Sequence, residues 1–231
     1  RKIGCNFKPL IICELGINHE GSFRLAQKMV DIAYKVGAEA IKNQSHILDE
    51  EMIEEAKKVV PTNTNKSIYK VIKENLMSFK DEVKLKKYVE KKKMIYLSTP
   101  FSLEAAKRLN KIGIKAFKIG SGECNNIPLL EEIVKFKKPI ILSTGMNDLK
   151  SIEKSVKVIE KAKLNYALLH CKSEYPAESK GLKLDFIITL KKKFPKCVVG
   201  YSDHSIGTIP CISAMSKGAS IIEKHFTDTK K

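Results

Sequence analysis

Eight short apolar runs, each closing in a cluster of polar or glycine residues, constrain this chain more than any other feature. They are Pro9–Cys13, Glu39–Ile41, Met94–Leu97, the stretch Lys115–Asn126 with Ala116, Phe117 and Ile119 as its apolar part, Pro139–Leu142, Tyr166–Leu169, Cys197–Val199 and Ala219–Ile222. Amphipathic helix patterns lie between them. Ser22–Val36 puts Leu25, Met29, Ile32 and Ala33 on one face, with Ser22 placed to cap its start and Gly37 its end. Leu103–Lys111, Asp148–Ala162 and Pro210–Lys217 repeat the scheme. Strand, polar loop, helix and glycine in alternation predict an α/β fold with a parallel sheet, and eight units predict a TIM (β/α)8 barrel. A doubly wound sheet is disfavoured, because no GxGxxG follows the first run. The long connection Ser45–Lys93 reads as a functional insertion followed by the usual helix. The chain starts without methionine and ends at Lys231, just after the eighth strand and before the helix that should follow it. An incomplete chain is the expected explanation.

Composition narrows the partners. Apolar residues at 43% and charged residues at 30% of 231 fit a soluble globular domain with a substantial core. No apolar run approaches the roughly 18 residues of a membrane span, and the N-terminal segment lacks the apolar region of a secretory signal. Six cysteines (5, 13, 124, 171, 197 and 211) show no CxxC spacing. They predict reduced thiols in a cytoplasmic protein, and leave the Asn65-Lys66-Ser67 sequon without meaning. The net charge of +17 comes almost wholly from lysines interleaved with glutamate on helix-like stretches. Without aromatic residues among them they predict a solvated surface and no nucleic-acid platform.

A barrel of this kind carries its chemistry at the carboxyl ends of its strands. The residues collected there are Glu14, Lys42, Gln44, Thr99, Lys118, Ser121, Glu123, Ser143, Ser173, Tyr175, Ser202, His204 and His225. Strand alternation puts Lys42 with Gln44, Ser202 with His204, and Glu223 with His225. Lys118 sits inside a buried run and so needs a counter-charge or a ligand. The Gly120-Ser121-Gly122 turn after it lets backbone N–H groups approach an anion. Lys42, Lys118, Ser121 and Ser143 together offer two cations and two hydroxyls, suited to a phosphate and a carboxylate on one small ligand. His204 and His225, with Glu14 nearby once strand one closes on strand eight, suit Mn²⁺, Zn²⁺ or Fe²⁺. The other reading is two hydrogen-bonded structural histidines. Ser202-Asp203-His204 is not a nucleophilic triad, since adjacent strand residues point opposite ways. His170-Cys171 reads as structural, and His19 and His46 stay open.

The stretches ICELGINHEGS, AEAIKNQSH, PTNTNKSIY, YLSTPFS, AFKIGSGECNNIPLL, ILSTGMN, ALLHCKSEYP, GYSDHSIG and IIEKHFTD run through nearly the whole chain. Together and in this order they resemble the N-acetylneuraminate (sialic acid) synthase family. AFKIGSGECNN and the SDH…HFT pair are the most specific. The resemblance implies an enzyme that condenses phosphoenolpyruvate with N-acetylmannosamine, or a related N-acyl hexose, giving N-acetylneuraminate and phosphate. It implies that residues 1–231 are the synthase barrel domain. The family's small C-terminal antifreeze-like domain, which covers the partner's site in a homodimer, is absent from this chain. It implies Mn²⁺ on His204 and His225, with Glu14 at the metal-bound water. Lys42, Thr99, Lys118, Ser121, Ser143 and Ser202 would hold phosphoenolpyruvate, the two lysines and Glu14 being the catalytic groups. Gln44, Asn63, Glu123 and Tyr175 would face the sugar, together with Ser173, which stands where the family has an asparagine. Asn43 replaces a phenylalanine or histidine and should point away from the site. The family's acidic residue after the HFT motif, and an arginine of the missing domain, fall beyond Lys231.

Three alternatives remain at this level. One is a legionaminic or other nonulosonic acid synthase; GECNNIPLL and the Asn63 region look closer to the sialic and legionaminic branches than to the pseudaminic one. Another is a Schiff-base aldolase using Lys118, which the histidine pair argues against. The last is an inactive ligand-binding barrel remnant.

Overall fold

Short polar side chains start most of the helices, each satisfying a backbone N–H that the first turn leaves over. In the computed structural model, which describes residues 1–61 and 64–229, the Ser22 hydroxyl accepts from Leu25 N ahead of α1 (Phe23–Lys35). β1 is Leu10–Gly16 and β2 is Ala40–Ser45. The long connection then forms α2 (Leu48–Glu51), a 3₁₀ turn at Ala56–Lys58, α3 (Ile68–Glu74) and α4 (Phe79–Lys91). After β3 (Ile95–Pro100) come α5 (Leu103–Lys111), β4 (Phe117–Ile119), α6 (Ile127–Lys135) and β5 (Ile140–Ser143). The chain continues through α7 (Leu149–Lys161), β6 (Tyr166–Cys171), α8 (Phe186–Lys193), β7 (Val198–Asp203), α9 (Ile209–Ser216) and β8 (Ile221–His225). The strands pair in chain order as a closed parallel barrel, the fold expected from the eightfold pattern.

The strands are longer than their apolar runs. β2 continues through Lys42-Asn43-Gln44-Ser45, β3 through Ser98-Thr99-Pro100, and β7 through Tyr201-Ser202-Asp203. The polar residues that close the runs at Lys42–Ser45, Ser98–Pro100 and Tyr201–Asp203 therefore sit on strands, where their direction is fixed by the pleat. His204 lies one residue past β7.

Two compact units make up the chain. One comprises Arg1–Cys13 and Lys115–His225; the other comprises Glu14–Ile114 and the segment from Phe226. In the first, which holds β4–β8, Phe117 pairs with Ile140, Ile140 with Tyr166, Leu168 with Val199, and Tyr201 with Ile222. Its helices press apolar stripes inward: Leu129, Leu130 and Ile133 from α6, and Ile152, Val156 and Ile159 from α7, all fully or nearly fully buried. Each such side chain contributes about 1.5–3 kcal/mol. Gly200 is obligatory here, because a Cβ would fall 2.6 Å from both Ile221 O and Leu169 Cδ2.

In the second unit β2 and β3 pair from Ala40–Ile95 to Ser45–Pro100. The outer face of this pair is polar. Glu82 of α4 is buried and accepts from Ser45 Oγ at 2.9 Å, Ser98 Oγ at 2.8 Å and Tyr96 OH at 3.0 Å. Burial pushes its carboxyl above the ordinary 4.5, against the pull of those hydroxyl donors. The fold then binds the Glu82 proton more tightly than the unfolded chain does. Its contribution to stability is full below pH 4.5 and is lost as pH rises through the raised value. Glu82→Gln is therefore expected to gain on wild type in denaturant midpoint as pH is raised. A difference between the two that stays flat with pH would contradict this.

Candidate active site

In the β4–β8 unit the Lys118 side chain, with 2% of its area exposed, is the centre of a buried network. Its Nζ donates to Ser143 Oγ on β5 at 2.7 Å and to Ile119 O at 3.1 Å, and faces Glu223 Oε1 on β8 at 3.5 Å. Ser202 on β7 donates its hydroxyl to the same Glu223 oxygen at 2.9 Å. The lysine that interrupted an apolar run thus has its counter-charge one strand beyond Ser202. Glu223, absent from the sequence-derived site, belongs to it. The signal was a carboxylate directly after the apolar pair Ile221-Ile222, two residues before His225 and so on the same face.

Beyond β4 the turn closes on itself. Gly145 N donates to Ser121 Oγ at 3.1 Å, and the Asn147 amide donates to Ser121 O at 2.9 Å. A Cβ on Gly145 would fall 2.4 Å from Ser173 Oγ and 2.8 Å from Ser121 Oγ. Ser173 therefore stands with Ser121 against the β5 loop. Glu123 is half-buried and accepts from the Asn126 amide at 2.6 Å, while Asn126 Oδ1 caps α6 by accepting from Leu129 N at 3.2 Å.

His204 and His225 come together with ring centroids 5.5 Å apart. They line a hollow of about 210 Å³ with Tyr175, Pro176, Asp203, Ser205 and Lys224. His204 Nδ1–H donates to Lys172 O at 2.8 Å, which fixes the tautomer and leaves Nε2 as the acceptor. The Tyr175 hydroxyl donates to that Nε2 at 3.0 Å, and its ring stacks on the imidazole at 4.0 Å. Burial lowers the His204 pKa, but Cys171, the Lys172 carbonyl and Glu223 outweigh it and raise the net value. The Cys171 thiol, raised by burial, is drawn below its ordinary value chiefly by His204. Asp203 points the other way from Ser202. It accepts from Tyr201 OH, Ser205 Oγ and N, Cys211 Sγ and Lys224 Nζ, and so anchors the backbone on both sides of His204. Burial raises its pKa, yet Lys224 and these donors bring it below the ordinary range.

In the β2–β3 unit Glu14, at the end of β1, is buried against Lys42, whose Nζ lies 2.5 Å from Glu14 Oε2. Lys42 also donates to Thr99 Oγ1 on β3 at 3.4 Å, and Gln44 Nε2 donates to Glu14 Oε1 at 3.1 Å. Asn43 faces away from these groups and contacts His19 Nε2 at 3.1 Å. Burial holds His19 below its ordinary pKa, and Gly21 N donates to its Nδ1. Asn63 lies outside the described residues. His170 is buried, donates to Leu182 O at 2.6 Å and is lowered in pKa by that burial. Among the described residues no group of three or more His, Cys, Asp or Glu side chains is arranged to hold a metal.

A parallel (β/α)8 barrel with buried lysine–carboxylate pairs and a histidine pair at its strand ends defines the class: a TIM-barrel protein with charged groups at its strand ends. The chain belongs to the NeuB family, whose model matches residues 29–231. It is 40% identical over 227 residues to an N,N'-diacetyllegionaminic acid synthase of Campylobacter jejuni, covering 95% of this chain and 68% of that protein. It is 33% identical over 221 residues to an N-acetylneuraminate-9-phosphate synthase of Drosophila melanogaster, covering 94% of this chain and 59% of that one. The crystal structure of an N-acetylneuraminic acid (sialic acid) synthetase from Leptospira borgpetersenii, in complex with citrate, superposes with a TM-score of 0.91 at 36% identity. That match covers 99% of this chain and 76% of that one. The chain thus spans about two thirds or less of the length of these curated relatives.

Proposed function

We propose that this barrel catalyses the condensation of phosphoenolpyruvate with an N-acyl hexose and water, giving a nonulosonic acid and phosphate. The observation that carries the reading is Lys118, a buried lysine whose Nζ donates to Ser143 Oγ and Ile119 O and faces the Glu223 carboxylate. The histidine pair, for which a Schiff-base aldolase has no use, disfavours the aldolase alternative. A fixed, desolvated cation of this kind stabilises charge that develops on a bound anion.

On this reading Lys42 and Lys118 hold the carboxylate and phosphate of phosphoenolpyruvate, with Thr99, Ser121, Ser143 and Ser202 as hydroxyl partners. Ser173, beside Ser121 and Gly145, joins that anion cradle in addition to the sugar-facing role its position implied. Gln44, Asn63, Glu123 and Tyr175 receive the sugar. The new C–C bond forms between C3 of phosphoenolpyruvate and the open-chain aldehyde carbon. Water adds at C2, and phosphate leaves by C–O cleavage. Glu14, directed by Lys42 and Gln44, accepts the proton that the adding water gives up.

His204 and His225 fit a divalent cation, Mn²⁺ in the family reading. The Lys172 carbonyl aims the His204 Nε2 lone pair into the hollow they share, and substrate or water would complete the ligand set. When bound, such a cation supplies Lewis-acid polarisation of the aldehyde. Among the described residues no helix is long and apolar enough to cross a membrane. A cytoplasmic enzyme, homodimeric at full length, belongs to the same proposal.

The sugar has two supported readings. N-acetylmannosamine, or its 6-phosphate, follows the sialic acid synthetase and N-acetylneuraminate-9-phosphate synthase relatives. A diacetamido hexose follows the legionaminic acid synthase relative at 40% identity. Phosphate release from phosphoenolpyruvate, assayed with Mn²⁺ against this panel using full-length protein, tests the function and names the sugar. Release should require both the metal and one sugar. Folded, Mn²⁺-binding protein that releases phosphate with none of them would overturn the proposal and favour the ligand-binding remnant.

A further inference from the structure

His46 stands just past β2, and its ring lies flat on Phe101, with centroids 4.4 Å apart and planes 8° apart. Its side chain is 6% exposed, and that of its partner Glu51, from α2, is 4% exposed. Nδ1 meets both Glu51 oxygens, at 2.9 and 3.1 Å. Nε2 lies 3.1 Å from Gln44 Oε1. The Gln44 amide has only one sensible orientation, because its other end meets the Glu14 carboxylate at 3.1 Å and must present N–H there. Its oxygen therefore faces His46, and His46 must donate to it. The imidazole thus donates Nε2–H to the amide oxygen, and a proton shared between Nδ1 and the Glu51 carboxylate holds its other side.

We propose that His46, clamped by Glu51, is a positioning residue that locks the Gln44 amide and through it aims the Glu14 carboxylate. The inference rests on the function proposed above and assigns a task to the start of the long β2–β3 connection. It also says how Gln44 reads the sugar. With Oε1 engaged by His46 and one N–H by Glu14, the amide has one N–H left, so it offers a ligand a donor. The inference assigns that N–H to an acceptor oxygen of the sugar, since Oε1 already has one of its two lone pairs in use. Losing His46 leaves the amide held by Glu14 alone, so its position loosens and its contact with the sugar oxygen weakens.

The test is a double-substitution cycle in full-length protein. His46→Asn is expected to lower kcat/KM by about tenfold or more, the scale of lost outer partners at such sites, and mainly through KM for the sugar. In a Gln44→Ala background the same substitution should have almost no effect, because its target is gone. Glu51→Gln should reproduce the His46→Asn phenotype, which guards against one variant that fails to fold. An equal loss from His46→Asn with and without Gln44 would mean a structural role and would overturn the inference. So would a Gln44→Ala enzyme with unchanged sugar KM. A second readout does not use activity. Nitrogen-15 NMR of the ring should show a proton on His46 Nε2 in wild type, facing the Gln44 oxygen. A wild-type ring whose Nε2 carries no proton would overturn the inference even in an active enzyme. If wild type shows no synthase activity, the proposed function fails while this NMR result still stands or falls by itself.

Discussion

Replacing Lys118 by methionine should lower kcat for the condensation by about 10²–10³-fold, the scale of removing one preorganised charge-stabilising donor. The loss should fall on kcat more than on the sugar KM, because Lys118 acts on phosphoenolpyruvate. The substitution should also destabilise the fold. It leaves the Glu223 carboxylate in the barrel with Ser202 Oγ at 2.9 Å and without the ammonium at 3.5 Å. Removing one partner of a buried pair costs about 3–5 kcal/mol. Urea unfolding of the variant reads that directly, and Lys118→Met/Glu223→Gln should recover part of the stability without recovering the rate. A single variant that turns over near the wild-type rate would remove Lys118 from the catalytic groups. Recovered activity in the double variant would make the lysine a structural counter-ion only.

His204→Ala should abolish the response to Mn²⁺ and weaken Mn²⁺ binding by at least about 100-fold, since even the outer partners of metal ligands are worth about 10–100-fold. Titration of Mn²⁺ into metal-stripped protein reads this without any turnover. His225→Ala should behave alike, as its ring is 5.5 Å from that of His204. Tyr175→Phe, which removes only the hydroxyl that donates to His204 Nε2, should leave binding intact or tighten it. Wild-type Mn²⁺ affinity in His204→Ala would return the two histidines to the structural reading given at the start. Their geometry would then serve the ring stack with Tyr175.

Much of this was legible in the sequence, for physical reasons. The eight apolar runs are the barrel wall, and a parallel strand buried on both faces has to read as a continuous apolar run. Strand ends were legible only as places. The runs stop at Ile41 or Val199, whereas the strands continue to Ser45 and Asp203, because a polar side chain stays in a buried strand when a neighbouring strand or helix supplies its partner. Periodicity cannot see those partners. Glu82 sits in a helix whose sequence, FKDEVKLKKYVEK, looks like solvated surface. Its phase gave a clue, since Glu82, Leu85 and Val89 fall on one stripe and all three are buried. His46 was left open because its role depends on a four-residue helix that brings Glu51 back onto it. Glu223 was visible beside His225 but had no stated need until Lys118 was placed opposite it.

Strand β2 has consequences for anyone who would alter this protein's substrate range. Lys42 and Gln44 meet the Glu14 carboxylate on one side, while Ser45 meets Glu82 and Asn43 meets His19 on the other. No greasy side tells the strand which way to face, so its polar partners must do so. A mutant library spread over all four positions would mix lost chemistry with lost assembly and could not tell them apart. One that varies Gln44 alone, and keeps Asn43 and Ser45, would probe the proposed sugar contact while leaving the strand its address.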